Sequence, residues 1–489
     1  MSADRRPLYH FTPPMGWMND PNGLVYFDGE YHLFYQYIPW DLWDAAGASH
    51  PAHWGHAVSS DLLHWTHLPV ALKPDHLGAI FSGSVVVDEH DSSGFFDGGP
   101  GLVAIFTHHN GSSSPHGPQV QSVAYSGDRG RTWISYARNP VIANPGPPDF
   151  RDPKVLWHAP TRRWVMVVTY GGDRVQFYQS ENLRDWRYAG EFGADQGAHS
   201  DQWECPDLFT LPVDGDTNHS KWLLHVSTYH STTTSDHPGL QYFVGDFDGT
   251  TFSNDNSSDL VLTPDYGRDN YAAVTWSDIP AADGRRLIIG WMSDWAYARA
   301  VPTELWKGQM TIPRELRLRR RDGEIRLVQT PAAELIRLRA ERSHQEAATI
   351  GPEGSVWEWG TGDAMEIIAT LDPGSALECG VKVHAGEGEQ TVIGYNRETA
   401  TLFLDRTQSG RSAFSPAFPG RLGGPLTLRD GVFSLRIYLD TQSVEVFGNE
   451  GEVVISSLIF PEAAFTGLEF YAGAGEARIL SLDVFRLLP

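Results

Sequence analysis

Cysteine is almost absent: Cys205 and Cys379 are the two in 489 residues. Two thiols so far apart build no disulfide framework, so burial must hold the fold and the chain tolerates a reducing compartment. Basic side chains are scarce as well, 37 Lys and Arg against 61 Asp and Glu, for a net charge of −24. That balance speaks against a nucleic-acid groove or an anionic membrane surface, both of which need basic patches, and leaves a neutral small molecule or polymer as the easier partner. No stretch reaches the roughly 18 apolar residues of a membrane span. The opening "MSADRRPLYHF" has no apolar core of the signal-peptide kind. As written, the chain reads as a cytoplasmic protein, or a secreted one if a leader has been trimmed. Helical periodicity is nearly absent, and so are G-x-x-x-x-G-K-[ST], H-E-x-x-H and G-x-S-x-G, the anchors of nucleotide, zinc-protease and serine-hydrolase chemistry.

What remains is β structure. Short aromatic and β-branched runs such as "GEYHLFYQY", "RRWVMVVTYGG" and "RVQFYQS" alternate with Gly, Asp, Asn and Pro turns. A weak repeat runs through them: "SSDLLHW" at 59–65, "SGDRGRTW" at 126–133 and "SENLRDW" at 180–186, with "FDGTTF" at 247–252 as a looser echo. Each reads as a polar turn followed by an aromatic that packs back, as the outer hairpin of a repeated four-stranded propeller blade requires. The best helical patch, "PAAELIRLRAER", leads into a polar, glycine-bearing stretch, which places a linker at 331–344 between a first domain at 1–330 and a second at 345–489. In the second, "VFSLRIYLDTQSVEVFG" alternates as a half-buried hairpin, and the region suits a β-sandwich. The sandwich is expected to cover apolar propeller surface.

Three carboxylates stand in unusual settings: Asp20 in "WMNDPNG", Asp152 in "FRDPK" and Glu204 in "QWECPDLF", each close to a proline. Taken singly they have plain explanations. Asp20 suits a strand end breaking into an Asn22-Gly23 turn, Asp152 suits a pair with Arg151, and Glu204 suits the surface. In a propeller, however, corresponding strand edges converge on one axis, and carboxylates far apart in sequence can meet. Glycoside cleavage needs such a set: one carboxylate attacks, a carboxylic acid donates a proton, and retaining enzymes hold the two about 5–5.5 Å apart. Mutual repulsion then keeps one of them protonated near neutral pH. "HPAHWGH" supplies His50, His53 and His56, but H-x-x-H on a strand sends neighbours to opposite faces, so no metal site is expected.

"WMNDPNG", "FSGS", "FRDP", "WECPD", "DYGRDNYAAVTW", "GWMSDW", "IPREL", "LDRTQSG" and "SVEVFGNEG" occur in this order along the whole chain. Together they resemble glycoside hydrolase family 32, the invertase, inulinase and levanase family. The resemblance implies an all-β protein, a five-bladed β-propeller followed by a C-terminal β-sandwich. It implies a retaining, exo-acting β-fructosidase that hydrolyses levan or inulin, with sucrose as a side substrate and no cofactor. Asp20 takes the place of the nucleophile, Glu204 that of the general acid/base and Asp152 that of the transition-state stabiliser. Asn19, Gln36, Trp43, Phe81, Ser82, Arg151, Tyr271 and Trp295 take the places that shape the fructose pocket. The chain departs from the family at Tyr37-Ile38-Pro39, where Y-N-P is common, and in the longer "WDLWDAAGASHPAH" segment. Two readings of the same residues stay open: a fructosyltransferase working through the same intermediate, and a carbohydrate-binding propeller without catalysis. Monomer and dimer are equally open.

Overall fold

A computed structural model describes residues 5–39, 50–111, 117–199, 202–229, 239–357, 362–385 and 388–488. Trp43 lies outside the described residues. The first part builds five four-stranded antiparallel units. Blade I holds Gly16–Phe27, Glu30–Ile38, His53–Ser59 and Thr66–Leu72, and blade II holds Ala79–Asp88, Gly101–His109, Gln119–Ser126 and Ile134–Ser135. Blade III holds Phe150–His158, Arg163–Tyr170, Arg174–Ser180 and Trp186–Phe192; blade IV holds Gln202–Val213, Asp216–Tyr229, Leu240–Phe247 and Phe252–Asn254. Blade V holds Tyr271–Thr275, Arg286–Trp291, Arg314–Arg321 and Glu324–Pro331.

Side-chain alternation closes these units into a ring. Val85 packs toward blade I and Val86 toward blade III; Val165 and Val167 pack toward blade IV, and Met166 and Val168 toward blade II. Because successive residues point to opposite faces and both faces meet a neighbour, strings such as "WVMVV" are apolar throughout rather than alternating. The seam between IV and V holds Leu211, Val244, Ile288 and Leu316. The one that closes V onto I is the most aromatic, with Trp17, Tyr35, Trp276 and Trp291. Trp306–Lys307 adds in parallel to the first strand of blade I and reinforces that closure.

The repeat falls where a blade hairpin requires it, between the third and fourth strands of blades I to IV. Asp61, Asp128 and Asn182 each cap their own turn by accepting backbone N–H groups two to four residues on. The tryptophan that follows donates its indole N–H to the carbonyl three residues earlier: Trp65 to Leu62, Trp133 to Gly130 and Trp186 to Leu183, at 3.0–3.1 Å. A polar turn and a returning aromatic are thus one hydrogen-bonded unit.

After blade V, Ala333–Leu338 forms a single 3-10 helix, and Arg339–Gln345 is already a strand paired with Ala477–Leu487. Two sheets, of seven and six strands, then face each other across one core. In the hairpin of Phe433–Asp440 and Ser443–Gly448, the residues Phe433, Leu435, Ile437, Leu439, Val444 and Val446 enter that core. Its other face is buried too, contrary to the half-buried expectation. Tyr438 and Phe447 pack on propeller residues, and the polar residues between them are paired across the domain junction. Glu445 accepts from Arg314 Nη2 at 2.5 Å and meets His10 Nε2 at 2.9 Å, while Asp440 meets His10 Nδ1 at 2.8 Å. Arg406 reaches across to Asp269 at 2.5 Å. Burial alone would pull the His10 pKa down; the two carboxylates outweigh it and hold it at about 9.

Candidate active site

Each blade's innermost strand carries the same irregularity near its start, where two residues oppose one on the neighbouring strand. The pairs are Asn19-Asp20 opposite Gln36, Phe81-Ser82 opposite Thr107, Asp152-Pro153 opposite Val168, Cys205-Pro206 opposite Val226 and Ala272-Ala273 opposite Gly290. Such a bulge bends a strand and re-aims its side chains. Proline fits there because the interrupted ladder has no use for its missing N–H. Asp152, Cys205 and Ala272 take φ of 64°, 46° and 51°, left-handed conformations that neighbouring blades must enforce. "WMNDPNG" is therefore not a strand end that turns. It runs inside the continuous strand Gly16–Phe27, and Gly23, at φ 55°, serves a second bulge. A Cβ on Gly23 would stand 2.6 Å from the Phe34 ring, so this position requires glycine.

Five bulges at one level bring the three carboxylates to a single cavity of about 450 Å³ on the propeller axis. Asn19, Gln36, Phe81, Ser82, Arg151 and Trp295 line it with them. Tyr271 stands behind the wall, buried, and reaches the site through its hydroxyl. Of the three histidines, His50 lines the cavity, His53 bonds the Pro51 carbonyl at 2.9 Å, and His56 bonds His32 at 3.0 Å and stacks on Phe34. Among the described residues no group of three His, Cys, Asp or Glu is placed to hold a metal ion.

Asp20 accepts from Asn19 Nδ2 at 2.9 Å, Ser82 Oγ at 2.7 Å and Cys205 Sγ at 3.4 Å. Burial and the nearby Glu204 charge raise its pKa, while these donors act against the rise. Asp152 is 6% exposed, and its Oδ2 accepts from the Cys205 backbone N–H at 3.0 Å. Burial, with Glu204 and Asp20 beside it, pushes its pKa up to about 7 despite Arg151, 3.9 Å away. Glu204 is half-buried, its side chain 17% exposed. It accepts from Arg151 Nη2 at 2.6 Å and Nε at 3.2 Å, and from the Tyr271 hydroxyl. Arg151 also pairs with Asp149, and its pKa is raised because its carboxylate neighbours outweigh the effect of burial. The Trp295 indole N–H is buried and has no hydrogen-bond partner among the described residues.

Sequence reasoning passed over Cys205, whose thiol bridges Asp20 and Asp152; "ECP" held the signal, since that cysteine is a bulge residue between Glu204 and a proline. It also passed over Trp17, which orients Asn19 by donating to Oδ1 at 2.7 Å, and over His109, stacked on Phe81 with centroids 4.5 Å apart.

The N-terminal domain of the glycosyl hydrolases family 32 matches residues 10–331, and the C-terminal domain of that family matches residues 334–486. The chain is 53% identical over 490 residues to a levanase of Bacillus subtilis (strain 168), covering 99% of this chain and 70% of that one. It is 41% identical to a levanase of Bacillus sp. (strain L7), of which it spans 52%. The crystal structure of exo-inulinase from Aspergillus awamori superposes with a TM-score of 0.89 at 35% identity, covering 99% of this chain and 98% of that one. With both domain matches in chain order and three carboxylates gathered on the propeller axis, the chain belongs to glycosyl hydrolase family 32 and is a glycoside hydrolase.

Proposed function

We propose that the protein is a retaining β-fructosidase that removes fructose units from the end of a β-fructan, through a covalent intermediate on Asp20. The observation that carries this reading is the placement of Asp20, Asp152 and Glu204 in one small cavity lined from all five blades. Asp20 is half-buried, and the three hydrogen bonds it accepts favour its carboxylate form, as a nucleophile requires. Glu204 lines the same cavity, within reach of a departing oxygen and an incoming water. In the first step an Asp20 oxygen bonds to the anomeric carbon as the glycosidic bond breaks, and Glu204 gives its proton to the departing oxygen. In the second, water attacks the same carbon, its proton passes to Glu204, and the Asp20 ester bond breaks. Asp152 receives sugar hydroxyls, and Trp295 walls the same cavity beside them. The names of the similar enzymes, levanase and exo-inulinase, support fructan as the substrate class.

End attack is the reading the cavity supports, since among the described residues its walls come from every blade and surround a small terminal space. The test is a parallel time course on levan, inulin and sucrose, following small sugars and viscosity together. Fructose or a very short fructan should appear while viscosity stays high. Early viscosity loss with a ladder of long oligosaccharides would refute end attack, and no cleavage of any fructan would refute the substrate class.

A further inference from the structure

We propose that His109 reads the sugar unit directly beyond the cleaved bond, stacking beside it and donating one hydrogen bond to it. This rests on the fructosidase reading above and adds a specificity-determining residue to it.

Strand register sets the depth. Thr107 lies opposite the Phe81-Ser82 bulge, level with the carboxylates, and its Oγ1 accepts the Asp152 backbone N–H at 3.1 Å. His109 lies two residues further along the same strand, opposite Ala79. Two residues of strand span roughly 7 Å, about the step from one sugar to the next. Trp17, Ile38 and Ala79 occupy the same outer tier, and all of them line the cavity.

Hydrogen bonding sets the chemistry. The Gln119 amide oxygen accepts the Phe150 N–H at 2.7 Å and faces Arg151 Nη1 at 3.5 Å, so its amide nitrogen is turned to His109 Nδ1, 3.4 Å away. Nδ1 therefore accepts, and the ring proton sits on Nε2 at the opposite edge. Burial and the Arg151 cation keep the ring neutral by lowering its pKa. Among the described residues Nε2 has no hydrogen-bond partner, and the ring is stacked on Phe81 with 10° between the two planes. A rigid aromatic face with one N–H donor, placed one sugar outward from the carboxylates, fits a hydroxyl-bearing furanose ring.

The experiment compares wild type, His109→Ala and His109→Phe on a β-fructan trisaccharide, with free fructose as competitive inhibitor. Fructose alone fills the terminal pocket, so its inhibition constant should be the same in all three. His109→Ala should raise KM for the trisaccharide about tenfold, the scale of one neutral hydrogen bond with its stacking, with kcat within about twofold. His109→Phe keeps the stack and loses the donor, and should fall between. Unchanged KM in His109→Ala would overturn the proposal. So would a parallel rise of KM and the fructose constant, which places His109 in the terminal pocket, or a fall confined to kcat. A wild-type protein that cleaves no β-fructan would defeat the fructosidase reading itself, and this proposal with it.

Discussion

Replacing Asp152 by asparagine should silence the enzyme and stabilise its fold. In the folded protein this carboxyl holds its proton up to about pH 7, whereas its ordinary pKa is 3.8. Between those values the folded chain keeps a proton that the unfolded chain has lost. The stabilisation is therefore complete below pH 3.8 and lost as pH rises through 7. Three units at about 1.4 kcal/mol each set an upper bound of ~4 kcal/mol against the folded state at pH 8. Asparagine removes that buried charge and still offers an oxygen to the Cys205 N–H. Arg151 loses one carboxylate neighbour but keeps Glu204 and Asp149, so a net gain of about 1–3 kcal/mol is expected at pH 8. The assay is the unfolding midpoint of both proteins from pH 5 to pH 8, where the difference between them cancels the titrating groups that lie away from Asp152. The variant should be the more stable at pH 8, with the gap narrowing toward pH 5. A variant no more stable than wild type at pH 8, or a gap that ignores pH, would refute the reasoning.

Tyr271→Phe removes one of the three hydrogen bonds on Glu204 without opening the wall. Its kcat should fall about tenfold, as for one bond to a charged group, with an unfolding midpoint close to wild type; loss of the fold instead would make Tyr271 a core residue. At the domain junction, Arg406→Ala leaves Asp269 buried without its cation, held by the Tyr297 hydroxyl and the Leu458 N–H, and should destabilise the protein by about 3 kcal/mol in denaturant unfolding. A change under about 1 kcal/mol would show that this ion pair does not hold the sandwich to the propeller.

Much of the site was legible because it is built from short, chemically distinctive strings. Polar turns closed by tryptophan marked the blade hairpins, since one hydrogen-bonded unit recurs there. Asp20, Asp152 and Glu204 stood out by their prolines. What those prolines mark was less legible: a bulge is a register shift between two strands, and one strand's residues do not display it. Asn22-Gly23 accordingly read as a turn. Likewise, the alternating hairpin at 433–448 read as half-buried, because the His10 and Arg314 that pair with its Asp440 and Glu445 lie more than a hundred residues away. Cys205 and His109 were passed over for the same reason: Cys205 matters through Asp20 and Asp152 of other blades, and His109 through Phe81 and Gln119 on neighbouring strands.

The central claim is that Asp20 forms the covalent bond to fructose while Glu204 moves the proton. It is tested most directly by trapping that bond. Glu204→Gln slows release of the intermediate by at least ~10²-fold, and a fructoside with a good leaving group needs no acid to load it. After incubation and rapid quenching, peptide mass spectrometry should find one added fructosyl unit on the peptide spanning 17–23, with the modification at Asp20 and none in the same experiment on Asp20→Asn. An adduct on Asp152, or turnover by Glu204→Gln at the wild-type rate, would contradict the account.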